Sequence, residues 1–487
     1  MINNTWKYQR GTGLLKEHHN KCTNFFNKIE DGEEVYIHLD NPVTEDDLNA
    51  ENETYIRATL LSDEMISYDA EMLGHAYNEN NELLNKYRPY FVSFIIPYSQ
   101  TSVTDLMLIE NTWYKGIFQT AQSELENNET VIALEGILET SASPINHLEG
   151  TMLVFKNKSL KQSELEKINE IDKTYKISTF TTSNVIIENY LNSAWNNDYP
   201  KLIDIYNVGH GNADYIRGSN NHRILYDVGY SYIKCPKAYG VFPYMRAAMA
   251  IRGMKPDCVV LSHWDTDHII GCAYAEQSLF RKKWIAPSFI SSNDKKYCPS
   301  INAKRLAMYL NLLGNLCLVD RSQGKTEIAT ISCINYAEII LWLGGGKDSK
   351  ITRHNCEGLI LEIVGSRSCQ RDKNCLGHQS HILLSGDVPY QCIPNTVFSK
   401  KIDFLHVPHH CSGMNLSALT TMLPGGRAAI ISTDRKKDGT KNLDNTHLNE
   451  LGRKYSMVVC TIDHKPVDDD ANLSVQIDCL TNCIKFR

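Results

Sequence analysis

The segment Val259-Val260-Leu261-Ser262-His263-Trp264-Asp265-Thr266-Asp267-His268 carries the strongest signal in the chain. It opens with an apolar run that is too short for a helix and typical of a buried strand. Four side chains that can bind a metal follow within six positions: His263, Asp265, Asp267 and His268. Because residues i and i+2 of an extended stretch point the same way, the first two could hold one ion and the last two a second.

Two later stretches add candidate ligands behind predicted strands. Asp387 ends the run Leu384-Ser385-Gly386-Asp387, where a carboxylate could bridge two ions about 3.5–4 Å apart. His409 and His410 follow a predicted strand at 402–407. Adjacent side chains point in different directions, so only one of these two histidines is expected to bind metal.

The length and composition of the chain indicate its domain number, its location and the state of its cysteines. A chain of 487 residues is too long for one hydrophobic core, so we expect two or three domains. It has no apolar stretch of about 20 residues, and residues 1–6 do not resemble a secretion signal, so we expect a cytoplasmic protein without a membrane span. The 15 cysteines lack regular spacing, which favours reduced, buried thiols.

Residues 1–195 and 196–487 differ in charge and in predicted secondary structure. Residues 1–195 carry 15 Lys and Arg against 30 Asp and Glu, and we predict an acidic α+β accessory domain there. Residues 196–487 carry 35 basic and 27 acidic residues, and strands interleaved with helices predict a layered α/β domain. Strands are predicted at 359–364, 381–385, 402–407, 428–432 and 457–462, and helices at 301–313 and 447–455.

Motifs from about residue 202 to 465 resemble, in the same order, the metallo-β-lactamase superfamily, and most closely the soluble hydrolase domain of ComEC-type DNA-uptake proteins. That family has a VGQG-like turn, a strand ending in Asp-Gly, and HxDxDH, LSGD and VPHHGS motifs. The matching segments here are Val208-Gly209-His210-Gly211, Tyr226-Asp227-Val228-Gly229, His263 to His268, Leu384 to Asp387 and Val407 to Ser412.

The resemblance implies an αββα sandwich with a two-metal centre at one edge. Carried over by position, the ligands are His263 and Asp265 for one ion, Asp267, His268 and His409 for the other, and Asp387 as the bridge. Asp227 would be a carboxylate that orients the ligand histidines.

This chain departs from the family pattern in three places. Many superfamily members have a further ligand histidine between the HxDxDH motif and the bridging Asp. Here the comparable stretch reads Arg353-His354-Asn355, in which Asn355 matches ComEC-like proteins and His354 is an alternative ligand. Cys411 replaces the Gly of the HHGS motif. Asp265 replaces the second histidine of the commoner HxHxDH motif, and this oxygen ligand tilts the metal preference from zinc towards manganese.

The implied reaction is hydrolysis by a metal-bound hydroxide, with Asp267 and Asp387 as catalytic carboxylates. His410 and His447 are candidates to assist the leaving group, although each could equally be a hydrogen-bonded structural histidine. The bases of a nucleic acid could stack on Trp264 beside the site. Basic side chains in predicted loops are further candidates for substrate binding: Arg367, Arg371, Lys373 and Lys436.

Three functions remain open on the sequence. The first is a phosphodiesterase, specifically a nuclease acting on DNA with two divalent ions, zinc or manganese. The second is a hydrolase of a small cyclic nucleotide or a lactone, which would need a closed pocket. The third is a partner-binding protein, in which the metal domain is regulatory and the acidic N-terminal part docks another protein.

Overall fold

The structure is a computed structural model of the chain. The residues it describes are 34–39, 55–74, 84, 87, 89, 91–97, 113–120, 132–140, 151–155, 162–163, 165–166, 168–169, 181–209, 211–230, 249–289, 299–334, 337–348, 353–365, 380–433, 443–461, 474–479 and 483–486.

Strands form most of the regular structure in these segments. In chain order they are β1 (Glu34–Leu39), β2 (Tyr55–Leu61), β3 (Val92–Pro97), β4 (Trp113–Thr120), β5 (Ile132–Thr140), β6 (Thr151–Phe155), β7 (Pro200–Tyr206), β8 (Asp214–Gly218), β9 (Arg223–Tyr226), β10 (Cys258–Val260), β11 (Lys283–Pro287), β12 (Leu316–Val319), β13 (Thr326–Ser332), β14 (Glu338–Leu343), β15 (Leu359–Val364), β16 (His381–Leu384), β17 (Phe404–His406), β18 (Gly426–Ile431), β19 (Tyr455–Cys460), β20 (Ser474–Asp478) and β21 (Cys483–Phe486).

Helices connect many of these strands. They are α1 (Asp63–Gly74), α2 (Asn184–Trp195), α3 (Thr266–Ile269), α4 (Gln277–Phe280), α5 (Ile301–Leu312), α6 (Arg353–Cys356), α7 (Ser417–Thr421) and α8 (Asn445–Lys454). None of the helices in the described segments has the length and apolar character that a membrane crossing requires.

Contacts within the chain group these elements into two compact units. The first contains β1 to β6, α1 and α5, and the second contains α2, β7 to β21 and the other helices. The predicted division between residues 195 and 196 therefore follows α2, which belongs to the second unit. The reason is the apolar stripe of α2, where Ile187, Leu191 and Trp195 recur every four residues and join the core of that unit.

The first unit is built on a closed barrel with the strand order β1-β2-β3-β5-β6-β4, in which neighbouring strands are antiparallel. A buried ion pair joins its helices, because Arg305 Nε lies 2.9 Å from Asp69 Oδ2. Tyr87 Oη donates to the other oxygen of Asp69 at 2.9 Å, and Arg305 Nη1 donates to Asn302 at 2.9 Å. The buried charges are thus paired and hydrogen-bonded, as burial requires.

Removing one partner of this pair should be costly. We expect Asp69→Ala to destabilise the first unit by about 3–5 kcal/mol, because it leaves Arg305 buried and uncompensated. Tyr87→Phe removes one hydrogen bond and should cost about 1–3 kcal/mol. Urea unfolding followed by circular dichroism would measure both, and equal effects of the two substitutions would contradict this account of the ion pair.

The second unit is a mixed α/β structure in which two sheets face each other. The first sheet has the order β12-β11-β10-β9-β8-β7-β20-β21, and the second runs from β13 to β19 in sequence order. Strands β9 to β12 are mutually parallel, and so are strands β16 to β19. One buried apolar core contains residues of both sheets, for example Ile224 and Val260 of the first and Leu361 and Ile430 of the second.

A second core covers the other face of the second sheet. There Leu451 of α8 shares a buried apolar cluster with Leu405, Ala429 and Ile431 of β17 and β18. Alternate residues of these strands therefore serve two different cores, which explains why β17 and β18 contain the continuous apolar runs Phe404-Leu405 and Ala428 to Ile431.

Candidate metal centre

Most of the candidate ligands follow the carboxyl ends of parallel strands. The 263–268 segment follows β10, Asp387 follows β16, and His409 and His410 follow β17. Parallel strands in facing sheets bring these loops to one edge, which is where α/β folds commonly place their sites.

Two glycines allow other loops to approach this edge. A Cβ atom added to Gly211 or to Gly229 would lie 2.4 Å from the backbone oxygen of Asp267. Tyr230 N donates to that same oxygen at 3.2 Å. Gly211 and Gly229 are therefore required because their backbones pack closely against that of Asp267.

Four side chains form the more tightly gathered part of the site, which we call the inner group: Asp267, His268, Asp387 and His410. Their ligand atoms all lie within 4.8 Å of one another. His268 Nε2 lies 3.2 Å from Asp387 Oδ1, and His410 Nε2 lies 3.6 Å from that oxygen and 3.5 Å from Asp267 Oδ2. The group is well shaped to hold a divalent cation.

The other carboxylate oxygen of Asp387 faces a second set of side chains, the outer group: His263, Asp265, His354 and His409. His263 Nε2 lies 3.8 Å and His409 Nε2 lies 3.6 Å from Asp387 Oδ2. Asp265 Oδ2 lies 3.4 Å from His263 Nε2 and 3.1 Å from His354 Nε2. Asp387 thus lies between two sets of nitrogen and oxygen ligands, as a bridging carboxylate would.

Hydrogen bonds fix which nitrogen of each inner-group histidine carries a hydrogen. His410 Nδ1 lies 2.9 Å from the carbonyl oxygen of Ser432, which can only accept, so Nδ1 is the donor. His268 Nδ1 donates to Asp227 Oδ2 at 2.8 Å. In both residues Nε2 is therefore the nitrogen left to bind an ion.

Asp227 and Ser262 extend this arrangement to His263. Ser262 N and Oγ both donate to the Asp227 carboxylate, at 2.6 and 2.7 Å. The hydroxyl hydrogen of Ser262 is thereby used, so its oxygen accepts from His263 Nδ1 at 2.9 Å. Asp227 thus orients two candidate ligands, one directly and one through Ser262.

Several buried atoms in the site have ligand character and no hydrogen-bond partner among the described residues: His263 Nε2, His268 Nε2 and Asp387 Oδ1. The last two face each other at 3.2 Å without the alignment of a hydrogen bond. Leaving such atoms unpaired is costly in a protein interior. A pair of divalent cations fits these residues, because cations would satisfy nitrogen lone pairs and carboxylate oxygens together.

The ionisation of two carboxyl groups in the site also favours a bound cation. Burial alone would raise the pKa of Asp387, but His268, His410 and His409 hold that pKa well below its ordinary value. Burial likewise opposes ionisation of Asp265, yet His354 and His263 keep its pKa well below the usual range. Both carboxylates are therefore charged, which favours cation binding.

The structure places the two adjacent histidines on opposite sides of Asp387. The sequence assigned His409 to the second ion and His410 to the leaving group, whereas here His410 belongs to the inner group and His409 to the outer group. The reason is the backbone: His409, His410 and Cys411 all have positive φ, at 48°, 53° and 65°. This turn directs the two histidine side chains to different oxygens of the Asp387 carboxylate, which strand geometry could not predict.

His447 has a different environment from the one expected of a leaving-group acid. It is buried, its Nδ1 lies 3.1 Å from the carbonyl oxygen of Ser412, and its Nε2 lies 2.9 Å from Tyr390 Oη. Burial lowers the pKa of His447 to about 4. A neutral imidazole with both nitrogens engaged cannot readily reach a substrate.

Trp264 also differs from its predicted role in base stacking. It is buried, its Nε1 donates to the carbonyl oxygen of Pro287 at 2.7 Å, and its ring lies 4.6 Å from that of Phe289. Successive side chains of an extended stretch point to opposite sides. Trp264 therefore faces away from His263 and Asp265, into the protein interior.

We therefore expect Trp264 to contribute to stability and not to substrate binding. Trp264→Ala should lower the free energy of unfolding by about 3–5 kcal/mol, as loss of a buried aromatic does. Trp264→Phe should cost less and should leave the KM for any substrate unchanged. Denaturant unfolding and steady-state kinetics would test this, and a raised KM for Trp264→Phe at unchanged stability would contradict it.

The remaining candidates divide into described and undescribed residues. Asn355 is buried beside His354, and its Oδ1 has no hydrogen-bond partner in the described part of the chain. The predicted substrate-binding residues Arg367, Arg371, Lys373 and Lys436 lie outside the described residues. The site residues predicted from the sequence did not include Ser262, Ser412 and Ser432, which bond to site histidines. Ser412 could have been found as the last residue of the VPHHGS-like motif, whereas no motif quoted from the sequence contains Ser432.

Comparisons with known proteins give only distant likenesses. No protein-family model matches the chain, and no curated protein matches its sequence. Among solved structures, a mutant of the β-hydroxylase CmlA is 14% identical, with a TM-score of 0.29 over 81% of this chain and 74% of that one. The diiron β-hydroxylase CmlA from Streptomyces venezuelae is 13% identical, with a TM-score of 0.28 over 81% and 72%.

A long-form RNase Z from yeast is 12% identical, with a TM-score of 0.26 over 64% of this chain and 48% of that one. Likenesses at this level carry no conclusion about the family or the activity of this chain. The function of the chain must therefore be inferred from its own residues.

Proposed function

We propose that this protein is a metal-dependent hydrolase with a metallo-β-lactamase-type αββα domain and a two-ion centre. One observation carries the proposal: Asp387 presents one carboxylate oxygen to the inner group and the other to the outer group. The order of the motifs, which resembles that of the family, supports the same assignment.

Divalent ions at such a centre lower the pKa of a coordinated water and draw charge from the scissile group. The protein's own part is to hold the ligands. Asp227 and Ser262 fix His268 and His263, and the Ser432 carbonyl fixes His410. Three carboxylates, from Asp265, Asp267 and Asp387, give the centre oxygen ligands that suit manganese as well as zinc.

We further propose a phosphodiester substrate, with DNA as the first candidate. Residues 196–487 carry more basic than acidic side chains, and a positive surface attracts polyanions. Nucleic acid would then be the partner of this part of the chain, while the acidic residues 1–195 could recruit a protein.

Nuclease assays would test the proposal directly. Labelled single-stranded DNA, duplex DNA and RNA are incubated with the protein and Mn²⁺, Zn²⁺ or Mg²⁺ in turn, beside an Asp267→Ala variant. Asp403→Asn is a matched control, because Asp403 is a largely buried carboxylate just before β17, whereas the ligand histidines follow that strand.

Cleavage that needs metal, disappears in Asp267→Ala and persists in Asp403→Asn would support a nuclease and identify its polymer. If two ions bind and no polymer is cut, the nuclease assignment is wrong, and small cyclic nucleotides or lactones become the substrates to test. If no ion binds, the hydrolase assignment itself is wrong and a partner-binding role replaces it.

A further inference from the structure

A line of hydrogen bonds leads from the apolar interior to the outer group. Tyr390 Oη lies 2.9 Å from His447 Nε2, and His447 Nδ1 lies 3.1 Å from the carbonyl oxygen of Ser412. Ser412 Oγ lies 2.5 Å from His409 Nδ1 and 2.6 Å from the carbonyl oxygen of His409. None of the first three residues belongs to either ligand group.

The chemistry of these atoms fixes the direction of every bond. The carbonyl oxygen of Ser412 can only accept, so His447 Nδ1 donates to it and His447 Nε2 accepts from Tyr390. The carbonyl oxygen of His409 likewise takes the hydroxyl hydrogen of Ser412. Ser412 Oγ must then accept from His409 Nδ1–H, which leaves His409 Nε2 with its lone pair facing Asp387 Oδ2, 3.6 Å away.

His409 needs such support more than the other candidate ligands do. Its side chain is 26% exposed, whereas those of His263, His268 and His410 are at most 3% exposed. It also begins the run of positive φ angles. Tyr390 is fully buried, and it packs in the apolar cluster that contains Cys411 and Leu443. The support therefore comes from a closely packed part of the fold.

The neighbouring ligand is held in another way. His410 Nδ1 donates to the carbonyl oxygen of Ser432, and the Ser432 hydroxyl donates to the carbonyl oxygen of Gly211. The anchors of His409 and His410 share no residue. A change in the Tyr390 chain should therefore reach one side of Asp387 and leave the other side intact.

We propose that Tyr390, His447 and Ser412 are positioning residues that hold His409 in place as a ligand of the outer ion, and so set the affinity of the outer group without changing that of the inner group. The inference rests on the proposed two-ion centre. It assigns to His447 a role in metal affinity and none in proton transfer to a leaving group.

Cobalt titration of the full-length protein provides the test, because Co²⁺ absorption bands report ligand number and type at each site. Calorimetry would follow the same titration and give the two affinities separately. The variants are Ser412→Ala, Tyr390→Phe, His447→Leu and His447→Asn, with His409→Ala and His410→Ala as references for the outer and inner groups.

We expect Ser412→Ala and His447→Leu to weaken the outer site about 10–100-fold and to alter its absorption bands, with the inner site changed less than about twofold. Tyr390→Phe should weaken the outer site by less than about tenfold. His447→Asn keeps a donor near the position of Nδ1 and should retain most of the affinity. His409→Ala, which removes the ligand itself, should weaken the outer site at least as much as Ser412→Ala and alter the same absorption bands.

Equal weakening of both sites, or no weakening of either, would overturn the inference even if two ions bind to the wild type. Binding of fewer than two ions by the wild type would instead overturn the two-ion centre, and this inference with it. If His447→Leu does not fold, Ser412→Ala still decides the question, because it removes only a hydroxyl group from a residue outside the apolar cluster.

Discussion

Asp387→Ala is expected to abolish metal-dependent hydrolysis, with a loss of more than about 100-fold in kcat/KM. Among the residues that the structure describes, Asp387 is the one that offers carboxylate oxygens to both ligand groups, so its removal takes an oxygen ligand from both sides at once. The loss should therefore exceed the 10–100-fold effect typical of an outer partner of a metal ligand. Metal content measured on the same sample should fall to one ion or none.

Asp403→Ala controls for the loss of a buried carboxylate. Asp403 lies just before β17 and accepts a hydrogen bond from His381 N. None of its contacts within the described part of the chain involves a residue of the inner or outer group. Its replacement should lower stability and leave metal content unchanged. An Asp387→Ala variant that keeps two ions and more than a tenth of the wild-type activity would contradict a bridging role.

Asp227→Asn is expected to weaken metal binding about 10–100-fold while leaving every proposed ligand in place. The amide keeps the shape of the carboxylate but places an NH₂ group either at the Oδ2 position, against His268 Nδ1 and Ser262 Oγ, or at the Oδ1 position, against Ser262 N. Donor would face donor in either orientation, so the bonds from Asp227 to His268 or to the Ser262 backbone would be lost. Competition with a chromophoric chelator would give the affinities.

Asp198→Asn is the matched control for this substitution. Asp198 is also buried, and it accepts from Tyr199 N and Ser219 Oγ at the start of β7 and the turn after β8. Its replacement should reduce stability with no effect on metal affinity. Unchanged affinity in Asp227→Asn would show that His268 and His263 do not depend on Asp227 for their orientation.

The sequence predicts best the elements whose local pattern has only one physical solution. The apolar run at residues 359–364 is too short for a helix, and the strand observed there has those same limits. The helix predicted at 301–313 is observed as Ile301–Leu312, and the one predicted at 447–455 as Asn445–Lys454. What the sequence did not indicate is that Ile301–Leu312 belongs to the first compact unit, since that depends on contacts far apart in the chain.

In the candidate site, too, local spacing could be predicted from the sequence, whereas features that depend on contacts far apart in the chain could not. Spacing brought together His263, Asp265, Asp267 and His268, because residues within one loop remain near one another. The sides taken by His409 and His410 depend on three residues with positive φ, and the burial of Trp264 and His447 depends on tertiary packing. Identifying a residue as a possible ligand is thus a local problem, whereas assigning it to a particular ion requires the fold.

Anomalous diffraction from crystals of the protein soaked in Mn²⁺ or Zn²⁺ would test the central claim most directly. The account predicts two peaks about 3.5–4 Å apart on either side of the Asp387 carboxylate, one beside His268 and His410 and the other beside His263 and His409. A single peak away from Asp387, or no peak at all, would contradict the two-ion centre.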